Sequence, residues 1–329
     1  MKNKSKLIFI IITFLLLYNA TAGYCYWIWT PQTKKWVNPK YAPKDTPKEQ
    51  LLYSMDFFYA EEYKKSLKEF NKIIKFYKRS EAASEAQYFI GRCYEELHNP
   101  QQAYESYQKV IDDYPFTQRT DEIIKRQFDI AGRLYEGENT KFVGISFKAV
   151  PEQIIEIYKK VVSNAPYSEY APISQYRIGE LYKKIAFYQD ARDAFQKILD
   201  DYPDSDMATD AKFQVAMCAS IASGGSDYDQ SLAEQAMDEF EEFAKQNPDS
   251  ELVKKAREER KEIIEKRADY YLKTARFYER IGKYKAASIY YNKILDEFPS
   301  SSAVEAATKR LEAVNKRIRP RSKTVALAE

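Results

Sequence analysis

The sequence predicts an all-α array of helical hairpins, on three observations. One pattern of small, aromatic and proline residues recurs along the whole chain. Gly is scarce, with 9 in 329 residues, too few for a loop-rich enzyme or an all-β sandwich. Aromatic content is high at 15%, with 28 Tyr and 18 Phe. A chain of this length exceeds one ordinary globular domain, and a modular array accommodates it.

Residues 1–22 read as an export segment. Lys2, Lys4 and Lys6 precede an apolar run from Leu7 to Tyr18, and Ala20-Thr21-Ala22 forms a small-x-small cleavage site. The run is about half of the roughly 20 residues needed to span a bilayer. Three outcomes compete here: cleavage after Ala22, retention as an uncleaved anchor, or acylation of Cys25, which follows Tyr24 where a lipoprotein site favours a small residue. Loss of the export segment removes three Lys and no acid, so the net charge of +3 becomes zero and nucleic acid is disfavoured as a partner. Residues 23–45 form a leader containing all three Trp of the protein, at positions 27, 29 and 36. It has no helical period and is expected to lie extended against the first repeat.

Two copies of the repeat are clearest. One runs Ile90-Gly91-x2-Tyr94, Ala103-x3-Tyr107-x2-Val110, Tyr114-Pro115; the other Ile178-Gly179-x2-Tyr182, Ala191-x3-Phe195-x2-Ile198, Tyr202-Pro203. In both, 12 positions separate Gly from Ala and another 12 separate Ala from Pro. This resembles the 34-residue tetratricopeptide repeat, with Gln87 and Gln175 where that repeat usually carries Trp. Small residues let the two helices approach, aromatic and branched residues fill the groove between them, and Pro ends the second helix.

Four weaker copies keep the register. The first comprises Ser54, Phe57, Ser66, Phe70, Ile73 and Tyr77; the third Ala131, Leu134, Ile154, Tyr158, Val161 and Pro166, interrupted by an insertion at about 137–149 expected to be a loop. The fifth comprises Ala216, Ala219, Ala236, Phe240, Phe243 and Pro248, stretched around Ser223-Gly224-Gly225-Ser226; the sixth Ala275, Tyr278, Ala287, Tyr291, Ile294 and Pro299. The expected fold is an all-α tetratricopeptide-repeat superhelix of about six hairpins without strands, with repeats one to three in 46–167 and four to six in 168–315. The charged stretch from Glu251 to Arg267 is expected to be a solvated helix running into repeat six. Residues 316–329, with Lys316, Arg317, Arg319, Arg321 and Lys323, read as a disordered basic tail, either solvated or drawn to anionic headgroups.

The sequence argues for a binding protein and against an enzyme. The single His98 sits beside Asn99-Pro100 in a turn, so neither a Ser-His-Asp triad nor a His-based metal site can be assembled. There is no phosphate-binding Gly-rich loop, nucleophile elbow or Cys-x2-Cys motif, and no cofactor or metal is expected. Asp112-Asp113 and Asp200-Asp201 stand at helix ends, where such pairs form solvated turns. Cys93 and Cys218 occupy the same place in two well-separated repeats and are expected to be small buried hydrophobes rather than a disulfide.

The remaining candidate is the surface lined by the first helix of each repeat. In the N-terminal half it offers Leu51, Met55, Phe58, Tyr59, Tyr88, Arg92, Phe128 and Tyr135, a peptide-binding groove in which Arg92 could meet a terminal carboxylate. The alternative is that the Trp-rich leader occupies this groove. In the C-terminal half the same positions are charged: Lys183 and Lys184 in repeat four, Arg276, Glu279 and Arg280 in repeat six.

Taken together, the chain resembles the BamD-like repeat lipoproteins of the outer-membrane β-barrel assembly machinery. The resemblance rests on repeats closed by Tyr-Pro or Phe-Pro and spaced near 37 (66 to 103, 154 to 191), on the insertion in repeat three, and on the run from Ala275 to Ala287. It covers about residues 46–313. It implies a non-catalytic periplasmic scaffold at the outer membrane, held to the inner leaflet if Cys25 is acylated. Its C-terminal repeats would contact the barrel-inserting subunit and its N-terminal repeats would receive unfolded outer-membrane proteins. A Tol-Pal-type envelope coordinator is the alternative, since those repeats also end in Tyr-Pro-x-Ser; no coiled-coil segment precedes the repeats here to favour it.

Overall fold

A computed structural model describes residues 27–30, 35–38, 42–137, 139–142, 145–224 and 230–318. The export segment, Tyr24, Cys25 and the tail beyond 318 lie outside the described residues. Thirteen helices are described, paired in sequence order: α1 (Pro47–Tyr59) with α2 (Tyr63–Phe76), α3 (Glu81–Glu96) with α4 (Pro100–Asp113), α5 (Thr120–Tyr135) with α6 (Pro151–Asn164), α7 (Tyr170–Lys184) with α8 (Tyr188–Asp201), α9 (Ala208–Ser223) with α10 (Gln230–Gln246), and α11 (Leu252–Arg280) with α12 (Tyr284–Glu297). A thirteenth, α13 (Val304–Ile318), follows. It packs on α12, so repeat six has a capping helix where the sequence reading continued to a tail from residue 316. This is the all-α tetratricopeptide-repeat fold.

Local chemistry starts several of these helices. Thr46 caps α1, its hydroxyl accepting from the Glu49 N–H, with Pro47 in the first turn; Asn99 and Pro100 do the same for α4. The register's aromatic position on each second helix is fully enclosed: Phe70, Tyr107, Tyr158, Phe195, Phe240 and Tyr291 are all buried. Each side chain of this kind contributes roughly 1.5–3 kcal/mol on burial. Gly91 and Gly179 are required by these rings. A Cβ on either would stand 2.5 Å from Tyr107 and 2.7 Å from Phe195, respectively.

Where the reference repeat carries Trp, this chain uses a buried glutamine. Gln87 donates to the main-chain carbonyl of Ser106 at 3.1 Å, Gln175 to that of Ala194 at 3.0 Å, and Gln50 to that of Glu69 at 3.2 Å. The three bonds occupy the same register, each pinning a first helix to its second. The turn between the two helices is equally regular. Glu61, His98, Ala186 and Gly282 stand at corresponding positions with φ of 60°, 53°, 63° and 76°. The left-handed turn is therefore a property of the repeat, and His98 is there as a turn residue.

Two expectations are corrected. Strands do occur: β1 (Ile28–Thr30) pairs antiparallel with β2 (Lys35–Val37), and β3 (Asn139–Phe142) with β4 (Ile145–Lys148). The insertion in repeat three is thus a hairpin, with β3 against α4, rather than a plain loop. A break in the hydrophobic period of 3.6 does not distinguish the two. Second, α11 is not solvated all round. Val253, Ala256 and Ile263 join the core of repeat five, while Ile264, Ala268, Tyr271, Leu272 and Ala275 join that of repeat six. Arg267, only 4% exposed, reaches Gln230 at 3.2 Å and Glu234 at 3.4 Å on α10 and lies 5.1 Å from the Phe298 ring. This 29-residue helix is the shared wall of two repeats.

The described residues fall into two compact units. The first runs to Arg126 and takes in the β3–β4 hairpin; the second comprises Gln127–Gly137 and everything from Ala149 onward. The division falls inside α5.

Candidate partner-binding surfaces

In the second unit, α11, α12 and α13 enclose a concavity of about 610 Å³ lined by Lys273, Arg276, Glu279, Arg280, Tyr284, Arg310 and Arg317. Five cationic side chains surround one carboxylate. Lys273, Arg276 and Arg280 project from successive turns of α11, and α13 supplies Arg310 and Arg317 from the opposite wall. Glu279 is engaged within the protein: it accepts from the Tyr291 hydroxyl at 2.8 Å and from Arg310 at 3.3 Å. Burial and this bond push the Tyr291 phenol up to about 12. Arg317 donates to the Tyr284 hydroxyl at 2.6 Å. Arg276 and Arg280 are exposed. The concavity therefore presents an excess of positive charge, suited to carboxylate-bearing surfaces.

The structure gathers Arg276, Glu279 and Arg280 as the sequence grouped them, and adds Lys273, Tyr284, Arg310 and Arg317 from positions the repeat register did not single out. The last two lie on α13, a helix outside the repeat pattern. Lys183 and Lys184 do not line this concavity; Lys183 is held by Gln214 at 2.6 Å, and Lys184 is exposed.

The expected N-terminal groove is not assembled as one site within either unit. Leu51, Met55, Phe58, Tyr59, Tyr88 and Arg92 fall in the first, Phe128 and Tyr135 in the second. Phe58 is a core residue, packed edge-on against Phe89 with centroids 5.1 Å apart. Tyr88 is 1% exposed, its hydroxyl bonded to Glu122 and its ring covered by the Arg119 guanidinium at 4.3 Å. Arg92 is committed to the same network, with Tyr88 at 3.4 Å, Glu96 at 3.6 Å and Glu95 at 3.8 Å. Its nearest charged neighbours are thus the acids of its own helix. In the second unit Phe128 packs against Tyr170 and Tyr158, and Tyr135 donates to Glu180 at 3.1 Å beneath Arg177.

What stays accessible in the first unit is smaller. Tyr59 is exposed, Leu51 and Met55 are half-buried, and Leu51 lines a hollow of about 540 Å³ with Thr46, Pro47, Ser80 and Ala82 between the starts of α1 and α3. The Trp side chains do not fill it. Trp27, Trp29 and Trp36 are each more than half exposed, and the leader is instead tied down at Lys44, whose N–H donates to Gln50 at 2.8 Å and whose carbonyl accepts from Tyr77.

Cys93 and Cys218 are free and buried, and burial pushes both thiols up to about 11. Among the described residues no group of His, Cys, Asp and Glu is placed to hold a metal ion.

Comparison with known proteins returned a tetratricopeptide-repeat family model at residues 85–117 and 174–205, the two copies clearest in the sequence. An outer membrane lipoprotein family, YfiO, matches residues 217–326, a stretch containing every residue of the cationic concavity. No curated protein matches. Similar solved structures include a tetratricopeptide repeat protein from Parabacteroides merdae (14% identity, 82% of this chain, 98% of that one, TM-score 0.32). Others are the C-terminal part of a repeat protein from Cytophaga hutchinsonii (16%, 80%, 88%, 0.34) and PilW, a type IV pilus biogenesis factor (15%, 80%, 98%, 0.28). The chain is a tetratricopeptide-repeat protein whose C-terminal third is similar to the YfiO outer membrane lipoproteins.

Proposed function

We propose that this protein is a non-catalytic scaffold of the outer-membrane β-barrel assembly machinery, working on the periplasmic side of the outer membrane. One observation carries the reading: the stretch similar to the outer membrane lipoproteins coincides with the repeats that build the cationic concavity. Arg276 and Arg280 meet acidic side chains of the barrel-inserting subunit there, and the charged rim steers the encounter. Unfolded outer-membrane proteins are received at the opposite end of the chain, where Leu51 and Tyr59 give weak apolar contacts. Weak capture suits a relay, because ordering an extended segment offsets most of what one or two buried side chains contribute.

The test is site-specific photo-crosslinking in intact envelopes from positions 276 and 280. The expected product joins this chain to the barrel-inserting subunit, and Arg276→Glu/Arg280→Glu abolishes co-purification while leaving the helical circular dichroism intact. Crosslinks to Tol-Pal components instead would replace the reading with the envelope-coordinator one.

A further inference from the structure

The β1–β2 hairpin carries a feature that partner docking does not use. Register pairs Trp29 with Trp36, and Trp27 immediately precedes β1. The two paired rings meet edge-on at 6.0 Å. All three are exposed, at 57%, 51% and 63% for Trp27, Trp29 and Trp36. A two-stranded hairpin with its aromatic face in water is marginal by itself. The surrounding sequence is one-sided in charge: the first acidic residue of the chain is Asp45, while Lys34, Lys35, Lys40 and Lys44 precede it.

We infer that this hairpin is a membrane-interface anchor, seating Trp27, Trp29 and Trp36 in the headgroup region of a bilayer containing anionic lipid. Trp has the chemistry for that depth, an apolar ring system with one N–H donor, and is enriched at membrane interfaces for this reason. Lys34, Lys35 and Lys40, with no acid among them, add attraction to anionic headgroups of about 1 kcal/mol each near the surface. Continuity with the rest of the chain favours lipid as the occupant. The hairpin begins three residues after Cys25, so acylation there leaves it beside a membrane. Three-residue strands are too short to cross a bilayer, so the hairpin's contribution is attachment at the surface.

The protein is well suited to the test, because its only three Trp lie in or next to the hairpin, so Trp emission excited at the red edge, where Tyr does not absorb, reports on this segment alone. The full chain, exported and carrying Cys25→Ser so that no acyl chain contributes, is mixed with vesicles of phosphatidylethanolamine and phosphatidylglycerol. Expected are a blue shift of Trp emission, quenching by lipids brominated near the headgroup, and co-sedimentation that weakens roughly tenfold in Trp27→Ala. Trp27 lies outside the paired register, so this variant keeps the hairpin; Trp29→Ala/Trp36→Ala removes the paired rings and should weaken binding further with helicity unchanged. Emission indifferent to vesicles, or Trp shielded from aqueous acrylamide before vesicles are added, would overturn the proposal. Neither result bears on the cationic concavity.

Discussion

The side-chain amide of Gln87 donates to the main-chain carbonyl of Ser106 across 3.1 Å, in a position where both groups are buried. The same bond joins Gln175 to Ala194 and Gln50 to Glu69, so a polar clamp stands where this repeat type usually places an indole. Gln87→Leu should cost about 1 kcal/mol, the net worth of one hydrogen bond. Gln87→Glu should cost several times more, because it sets an acceptor against an acceptor in a buried site. Chemical denaturation followed by circular dichroism would show the order Gln, Leu, Glu; a Glu variant as stable as Leu would remove the clamp from the account.

The turn register makes a prediction of opposite sign. Ala186 holds φ of 63°, a conformation that costs a residue with a Cβ about 1–2 kcal/mol and costs Gly almost nothing. Ala186→Gly should raise stability by about 0.5–1 kcal/mol after the added freedom of the unfolded chain is offset. Gly282→Ala, at φ of 76°, should lower it by a similar amount. Midpoints of thermal unfolding moving in the same direction for both would contradict the register.

Buried thiols should be inert. Cys93 and Cys218 are enclosed among apolar side chains and pushed up to about 11, so the thiolate fraction at pH 8 is small and access is closed. In the Cys25→Ser chain, an aromatic disulfide reagent at pH 8 should label neither cysteine in the native state and both in denaturant. Fast stoichiometric labelling of native protein would show that these repeats open locally.

Acid should loosen the first unit through Glu122. Burial pushes its carboxyl up, but the hydrogen bonds from Tyr88, Arg126 and Arg119 outweigh this and hold it below the ordinary carboxylate range. A carboxyl depressed in the folded state contributes its stability above the unfolded range, about pH 4, and loses it as pH falls through the folded value. Wild type should therefore exceed Glu122→Gln in stability at neutral pH, with the gap closing in acid. A gap independent of pH would assign the loss to packing alone.

The repeat register was legible because it is a one-dimensional property. Tyr107 and Phe195, four positions after a small residue on the second helix, have one place to go when neighbouring helices bury them, and both are buried there. The charged grouping of Arg276, Glu279 and Arg280 was legible for the same reason, since one helix carries all three. Tyr88 was misread because its position in the register says only which way it points. Whether that direction ends in solvent depends on Arg119 and Glu122, which lie 31 and 34 residues further on.

By itself the sequence determined the all-α class and the enclosed aromatic position on each second helix, because spacing on a helix dictates which side chains share a face. Tertiary structure alone decided which exposed-looking residues are free to bind. Charges and aromatics on a helix face are committed or available according to what the next helix brings opposite them. Arg267 became a buried link between two repeats on meeting Gln230 and Glu234, while Arg276, nine residues along the same helix, stayed exposed at the rim of a concavity completed by α13.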